Sequence, residues 1–292
     1  MNEYFNYIGI VGYPRYQNSF ITHKILYNWL ISKGYKVIME KKISKELNLN
    51  KPRIATLKEI GKYCDLVIVV GGDGNMLNTA RILSSYDIKI IGINRGKLGF
   101  LTDLNPDNAL KQLSNVLNGD YILENRFLLD IKSYNKKLLS NRSKAINEVV
   151  IHPCKISNMI EFEVYIDKSF AFSQRSDGII ISTPTGSTGY ALSAGGPIIS
   201  TLVNAIVIIP MFPQSLSARP LVINNSSNIH IKFFNLNKKI CVSCDSQISF
   251  SINFNEHIVI NRSNSCLNLI HPKNYNYFDK LTSKLKWFKN FF

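Results

Sequence analysis

The chain has 292 residues, 45% hydrophobic and 19% charged, which excludes a disordered polymer and leaves room for one large or two modest domains. Its longest apolar run, Ala205 to Ile209, is far short of the roughly 18 residues a membrane span needs. Glu3, with no basic stretch ahead of an apolar one, argues against a secretory leader, so a cytoplasmic protein without a membrane partner is expected. The net charge of +15 is spread along the sequence rather than gathered in a stripe, which fits steering of small anions and argues against a nucleic-acid partner. The five cysteines, at 64, 154, 241, 244 and 266, lack the second ligand pair a zinc site needs. Cys241-x-x-Cys244 reads as part of a strand, and all five read as reduced thiols.

Tyr7 to Val11 is a short β-rich run closed by the Gly12-Tyr13-Pro14 turn. Phe20 to Ser32 has helical spacing, with Ile21, Ile25, Leu26, Trp29 and Leu30 expected on one face. Gly34 ends it and Lys36 to Met39 is the next strand. Leu66 to Val70 is uniformly apolar, the mark of a central parallel strand. A helix from about Met76 to Ser84, a strand from Lys89 to Ile93 and a helix from Asn108 to Leu117 complete an open α/β pattern. After about residue 120 the period changes to two, in Phe162-Val164-Ile166, Ile229-Ile231-Phe233 and Ile258-Ile260, as in an antiparallel sandwich. The tail, Asp279 to Phe292, places Leu281, Leu285, Phe288 and Phe292 on one face, with Lys280, Lys284, Lys286 and Lys289 elsewhere, and reads as a docked terminal helix.

Two segments concentrate chemistry. Gly71-Gly72-Asp73-Gly74-Asn75 follows the buried strand and precedes a helix, where glycine amides and the helix N-terminus favour phosphate. An acidic residue there would repel phosphate unless it accepts a proton from an attacking hydroxyl or helps hold magnesium. The second segment runs from Ser176-Asp177-Gly178 through Ser182-Thr183-Pro184-Thr185-Gly186-Ser187-Thr188-Gly189-Tyr190 to Gly195-Gly196-Pro197. So many hydroxyls and glycines, with one aromatic face, suit a polar ligand better than a bare turn. Asn147-Glu148 could accept ribose hydroxyls or simply start a strand, and Asp245-Ser246-Gln247 could be a hairpin turn or ligand contacts. Asn94 to Phe100 has the look of a binding loop.

Gly71-Gly72-Asp73-Gly74, the Asn94 to Asp103 loop, Asn147-Glu148, Ser176 to Pro197 and Ser217-Ala218-Arg219-Pro220 together closely resemble the NAD kinase family, over about residues 60 to 280. A lone GGDG also occurs in lipid kinases and phosphofructokinases, but its order with a downstream PTGST and SAGGP is specific to this family. The resemblance implies an N-terminal open α/β domain (1–142), a C-terminal antiparallel, β-sandwich-like domain (143–270), and a segment (271–292) returning to the first. It implies ATP-dependent phosphorylation of the adenosine-ribose 2′-hydroxyl of NAD, a substrate cleft between the domains, a divalent metal ion such as Mg2+, and a homodimer or homotetramer. By the same likeness Asp73 takes the hydroxyl proton. NAD is held by Asp73, Gly74, Asn147, Glu148, Asn158, Asp177, Thr185, Thr188, Gly189, Tyr190, Ala191, Leu192, Ser193 and Gln247, with Arg175 at the substrate's outer end. The chain departs from the family in carrying Gly189 where Ala is usual and Asn158 where close relatives have His. A diacylglycerol-type lipid kinase and a non-catalytic dinucleotide sensor are the competing expectations.

Overall fold

The computed structural model describes residues 4–13, 17–44, 47, 49, 52–96, 99–155, 159–234, 239–253 and 256–287, with residues 17–19 described by backbone alone. They form two compact units, Met1–Asn125 with Leu267–Phe292, and Arg126–Cys266.

The first unit alternates strand and helix: β1 (Tyr7–Val11), α1 (Gln17–Ser32), β2 (Lys36–Glu40), α2 (Lys41–Ser44), β3 (Arg53–Ala55), α3 (Leu57–Tyr63), β4 (Leu66–Gly71), α4 (Asp73–Leu83), β5 (Lys89–Asn94) and α5 (Ala109–Leu117). The strands pair in parallel in the order β5-β4-β1-β2-β3, and every residue of β4 is buried, as its unbroken apolar run requires. In that register Gly71 lies opposite Asn94, so the glycine turn and the loop after β5 emerge side by side at the carboxyl edge of the sheet.

Three local details differ from the sequence expectation. In α1, Leu26 and Leu30 are buried but Ile21 and Ile25 are about half exposed; Thr22 and His23 take the inward positions, with His23 Nε2 bonded to the Gly12 carbonyl at 3.0 Å. A satisfied histidine therefore displaced two isoleucines from the face that apolarity alone predicted. Helix α4 begins at Asp73, three residues before Met76, because Gly72 is an extended N-cap and an acidic first turn suits the helix dipole. Helix α3 was not expected, although Thr56 and Glu59 form a reciprocal capping box, with Thr56 N–H to Glu59 Oε2 at 2.8 Å.

The second unit is built of strands. It contains β6 (Tyr121–Asn135, entering from the first unit), β7 (Leu138–Ala145), β8 (Glu148–Pro153), β9 (Ile160–Ile166), β10 (Ser169–Ser176) and β11 (Gly178–Ser182). After a 3-10 turn (Gly186–Thr188) and α6 (Tyr190–Ser193) come β12 (Ala205–Met211), β13 (Leu221–Asn224), β14 (Ile229–Phe234), β15 (Ile240–Cys244), β16 (Ile248–Ile252) and β17 (Glu256–Pro272). One sheet joins β10-β9-β14-β17 with β6 and β7; the other runs β13-β12-β11-β8-β15-β16. Phe162, Ile231 and Ile258 from the first meet Ile151, Ile179, Ile208 and Val242 from the second in one core, so the unit is a β-sandwich. Strand β11 is buried on both faces: Ile179 and Ile181 enter that core, while Ile180 packs with Ala191 of α6 on the other. This fixes the hydroxyl-rich segment over the sheet's outer face.

The last residues of β17 belong to the first unit, where Asn268 and Leu269 pair in parallel with Lys89 and Ile90. Helix α7 (Tyr277–Leu285) follows in the same unit, with Leu281 buried. Lys280, expected off the apolar face, is buried as well. Pro14, Phe288, Lys289 and Phe292 lie outside the described residues. The boundaries expected at 142/143 and 270/271 fall within β7 and β17. The expectation of five reduced thiols is corrected: Cys154, just past β8, is disulfide-bonded to Cys241, whose ladder partner is His152, while Cys64, Cys244 and Cys266 remain thiols.

Candidate active site

Asp73 opens α4 half-buried, with Gly74 beside it in the same turn. Its carboxylate accepts the backbone N–H of Phe100 at 2.7 Å (Oδ2) and of Leu101 at 3.0 Å (Oδ1). One bond to each oxygen fixes the group and leaves further lone pairs for a ligand hydroxyl. The close fit explains a glycine in the loop: a Cβ on Gly99 would lie 1.9 Å from Asp73 Oδ1. Asn75 ties the turn to the segment after β1, its Nδ2 donating to the Tyr13 carbonyl at 3.0 Å. Asn94 Oδ1 and Arg95 Nε, at the end of β5, are buried without a hydrogen-bond partner among the described residues. Lys97 and Leu98 of this loop lie outside the described residues.

In the second unit the Asn147-Glu148 corner is organised by Asp245. That carboxylate, buried at the end of β15, accepts N–H from Ile146 at 3.0 Å, Asn147 at 2.8 Å and Glu148 at 3.3 Å. Three amides on one carboxylate form a charge-assisted cap, and they turn the chain from β7 into β8. Thr183 closes the other side, its hydroxyl donating to the Ile146 carbonyl at 2.6 Å and accepting from Gly186 N–H at 3.2 Å. A Cβ on Gly186 would lie 2.3 Å from the Asn147 carbonyl oxygen, so the PTGST turn lies directly on the corner. Asn147 Oδ1 and Glu148 Oε2 end there, buried and without hydrogen-bond partners among the described residues. Burial and then the neighbouring Asp245 charge push the Glu148 carboxyl up to about 7, against the pull of the Tyr190 N–H.

Around this corner stand Thr185, bonded to Arg126 Nη1 at 3.4 Å, and Thr188, bonded to the Thr185 carbonyl at 3.4 Å. Gly189 is near enough that a Cβ there would lie 3.3 Å from Glu148 Oε2. Of α6, Tyr190 and Ser193 are exposed, Leu192 is half-buried and Ala191 is buried. Tyr190 and Ser193 line a cavity of about 400 Å³ with Arg219. Gln247 is exposed in the β15–β16 turn, next to Asp245 in sequence.

Arg175 and Asp177 are not at this corner. They are exposed at the opposite end of β11, whose length separates the two groups by roughly 13 Å. Arg175 pairs with Glu161 at 3.6 Å and lines a larger cavity of about 940 Å³ that shares Ala218, Arg219 and Pro220 with the smaller one. Ser217-Ala218-Arg219-Pro220, singled out in the sequence, thus links the two cavities. Asn158 lies outside the described residues. Sequence reasoning gave no role to Arg126, an isolated arginine in a strand, and left Asp245 undecided between turn and ligand contact. An acidic residue directly after an alternating strand was the available signal for Asp245.

An open α/β unit whose central strand ends in an acidic glycine turn, joined to a β-sandwich with a hydroxyl-rich corner, has solved counterparts. The structure of yeast NADH kinase complexed with NADH matches with a TM-score of 0.91 over 99% of this chain and 90% of that one, at 23% identity, a likeness of fold. An NAD kinase from Archaeoglobus fulgidus in complex with ATP matches with a TM-score of 0.72 over 96% and 98%, at 25% identity. Models of the ATP-NAD kinase N-terminal and C-terminal domains match residues 8–121 and 146–272. NAD kinases of Buchnera aphidicola subsp. Schizaphis graminum and of Escherichia coli O7:K1 are 63% and 58% identical to it, each over the full length of both chains. The chain belongs to the NAD kinase family.

Proposed function

We propose that this chain is an ATP-dependent NAD kinase in which Asp73 accepts the proton of the adenosine-ribose 2′-hydroxyl of NAD. The observation that carries the role of Asp73 is its carboxylate, fixed by two loop amides at the glycine turn with acceptor capacity to spare. The freed hydroxyl oxygen bonds to the terminal phosphorus of ATP, the bond from that phosphorus to its bridging oxygen breaks, and ADP and NADP result. Such a transfer needs positioning and charge neutralisation more than covalent catalysis.

NAD binding falls to Gly74, Asn147, Glu148, Asn158, Thr185, Thr188 to Ser193 and Gln247, with Arg175 and Asp177 holding a more distant part of the dinucleotide. The unpartnered Asn147 Oδ1 and Glu148 Oε2 support this, being buried acceptors that ribose hydroxyls would satisfy. No group of three or more His, Cys, Asp or Glu among the described residues could by itself hold a metal. That donor set suits Mg2+ brought in on the ATP phosphates, since this ion commonly uses only one or two carboxylates and keeps several waters. When bound, the ion would neutralise charge on the transferring phosphate. A homodimer or homotetramer in the cytoplasm completes the proposal; among the described residues no helix is long and apolar enough to cross a membrane.

The test is a coupled assay of purified protein with NAD, ATP and magnesium, in which an NADP-specific dehydrogenase reports product. Asp73→Asn should lose about 100-fold to 10,000-fold in kcat while still binding NAD. Undiminished turnover by that variant would remove Asp73 from the mechanism.

A further inference from the structure

We propose that Lys280 of α7 and His271 at the end of β17 are positioning residues for Asp73, acting through the loop from Gly99 to Asp103. The proposal rests on Asp73 as the proton acceptor.

The links are continuous and lie within the first unit. Asp73 is held by the N–H groups of Phe100 and Leu101. The carbonyl of the same Phe100 accepts from Lys280 Nζ at 3.0 Å, so one peptide segment is tied to Asp73 on its amide side and to α7 on its carbonyl side. The Lys280 ammonium also bonds Asp103 Oδ1, and the other oxygen of Asp103 lies 2.5 Å from His271 Nδ1. His271 is completely buried, lies 2.9 Å from Glu124 Oε2 through its second nitrogen, and stacks on Tyr275 with ring centroids 3.9 Å apart.

Two carboxylates, an ammonium and an imidazole sealed from water are expensive for a loop that only needs to be shaped, and apolar packing would shape it at lower cost. What they add is direction. The Lys280 ammonium is shared between the Phe100 carbonyl and Asp103, and Asp103 is in turn bonded to His271. Burial alone would lower the His271 pKa, but hydrogen bonds and charge from Asp103 and Glu124 outweigh it and hold the ring towards its charged form. At Asp103 burial alone would raise the pKa, but hydrogen bonds and charge from His271 and Lys280 outweigh it and hold the group towards the carboxylate. Each group in the chain Phe100, Lys280, Asp103, His271 and Glu124 is thus bonded to the next. A gap of about an ångström at a reacting group is enough to lower turnover a hundredfold.

The experiment compares Lys280→Met and Lys280→Arg with the parent enzyme, each alone and combined with Asp73→Asn. Readouts are kcat, KM for NAD and ATP, and amide hydrogen exchange at Phe100 and Leu101. Lys280→Met should lower kcat about tenfold to a hundredfold with both KM values within about twofold, and speed exchange at those two amides. Lys280→Arg should recover much of the loss, and Lys280→Met should cost little more once Asp73 is already Asn. Lys280→Gln, a neutral donor that leaves Asp103 on His271, is measured alongside and decides the matter if the Met variant does not fold. Unchanged kcat with unchanged exchange, or an equal loss in the Asp73→Asn background, would overturn the proposal. Full turnover by Asp73→Asn alone would instead overturn the proton-acceptor assignment, while the exchange data would still read the link from Lys280 to the loop.

Discussion

Glu148 and Asp245 share one buried corner, where the Asp245 carboxylate accepts the Glu148 N–H at 3.3 Å while its charge, after burial, raises the Glu148 carboxyl to about 7. The backbone of one residue is stabilised by the group that opposes ionisation of its side chain. Between about 4.5 and about 7 the folded protein keeps a proton on Glu148 that the unfolded chain has released. Stability from this group is therefore full below that window and is lost as pH rises through it, by about 3 kcal/mol in all. Melting temperatures of Glu148→Gln and the parent from about pH 5 to pH 8 check the sign: the variant should gain on the parent as pH rises. A constant difference would mean that Glu148 titrates as it does in the unfolded chain.

Asp245→Ala removes the shared acceptor of three amides. Each buried N–H left unpaired costs about 1–3 kcal/mol, so a loss of at least about 3 kcal/mol is expected in urea unfolding. With the Asp245 charge gone, the pH window of the Glu148 effect should also narrow from above. Urea midpoints at several pH values report both consequences, and an unaltered window would show that burial alone sets the Glu148 carboxyl.

Much of this was legible in the sequence, for identifiable reasons. The uniformly apolar β4 and the two-residue period of β9 and β14 encode a central parallel strand and sandwich strands, because side-chain direction follows the backbone period. The glycine turn and the PTGST run were visible because backbone close approach demands glycine. Tertiary pairing hid the rest. Nothing local in α1 marks His23 as the inward residue, since its reason is the Gly12 carbonyl of another segment. Lys280 looks like a solvent lysine until Phe100 and Asp103 are placed against it, and Cys154 lies 87 residues from its disulfide partner. The separation of Arg175 and Asp177 from the Glu148 corner follows from the length of β11, which no motif records.

Gly99→Ala tests the fit of the loop on Asp73. The added methyl would need the space of Asp73 Oδ1, 1.9 Å away, so either the carboxylate turns out or the loop moves. Both break the bonds to Phe100 and Leu101, and kcat should fall about a hundredfold or more with NAD affinity little changed. Gly99 is buried and the broken bonds are charge-assisted, so the melting temperature should fall as well. Steady-state kinetics with a binding titration would reveal it, and near-parent kcat would mean that the Asp73 position tolerates displacement.

The raised Glu148 carboxyl also sets a pH dependence for binding. As a ribose-hydroxyl acceptor it works best ionised, which requires pH above about 7 in the free protein. Below that value each unit of pH removes about nine-tenths of the ionised form, so KM for NAD should rise up to about tenfold per unit as pH falls, with KM for ATP far less affected. Bound NAD, by donating hydroxyls to Glu148, should in turn pull its pKa down and release a fraction of a proton on binding near neutrality. Calorimetry in buffers of different ionisation enthalpy would count that proton, and Glu148→Gln should abolish both the release and the slope. A KM for NAD that stays flat from about pH 8 to pH 6 in the parent enzyme would take Glu148 out of the dinucleotide contacts.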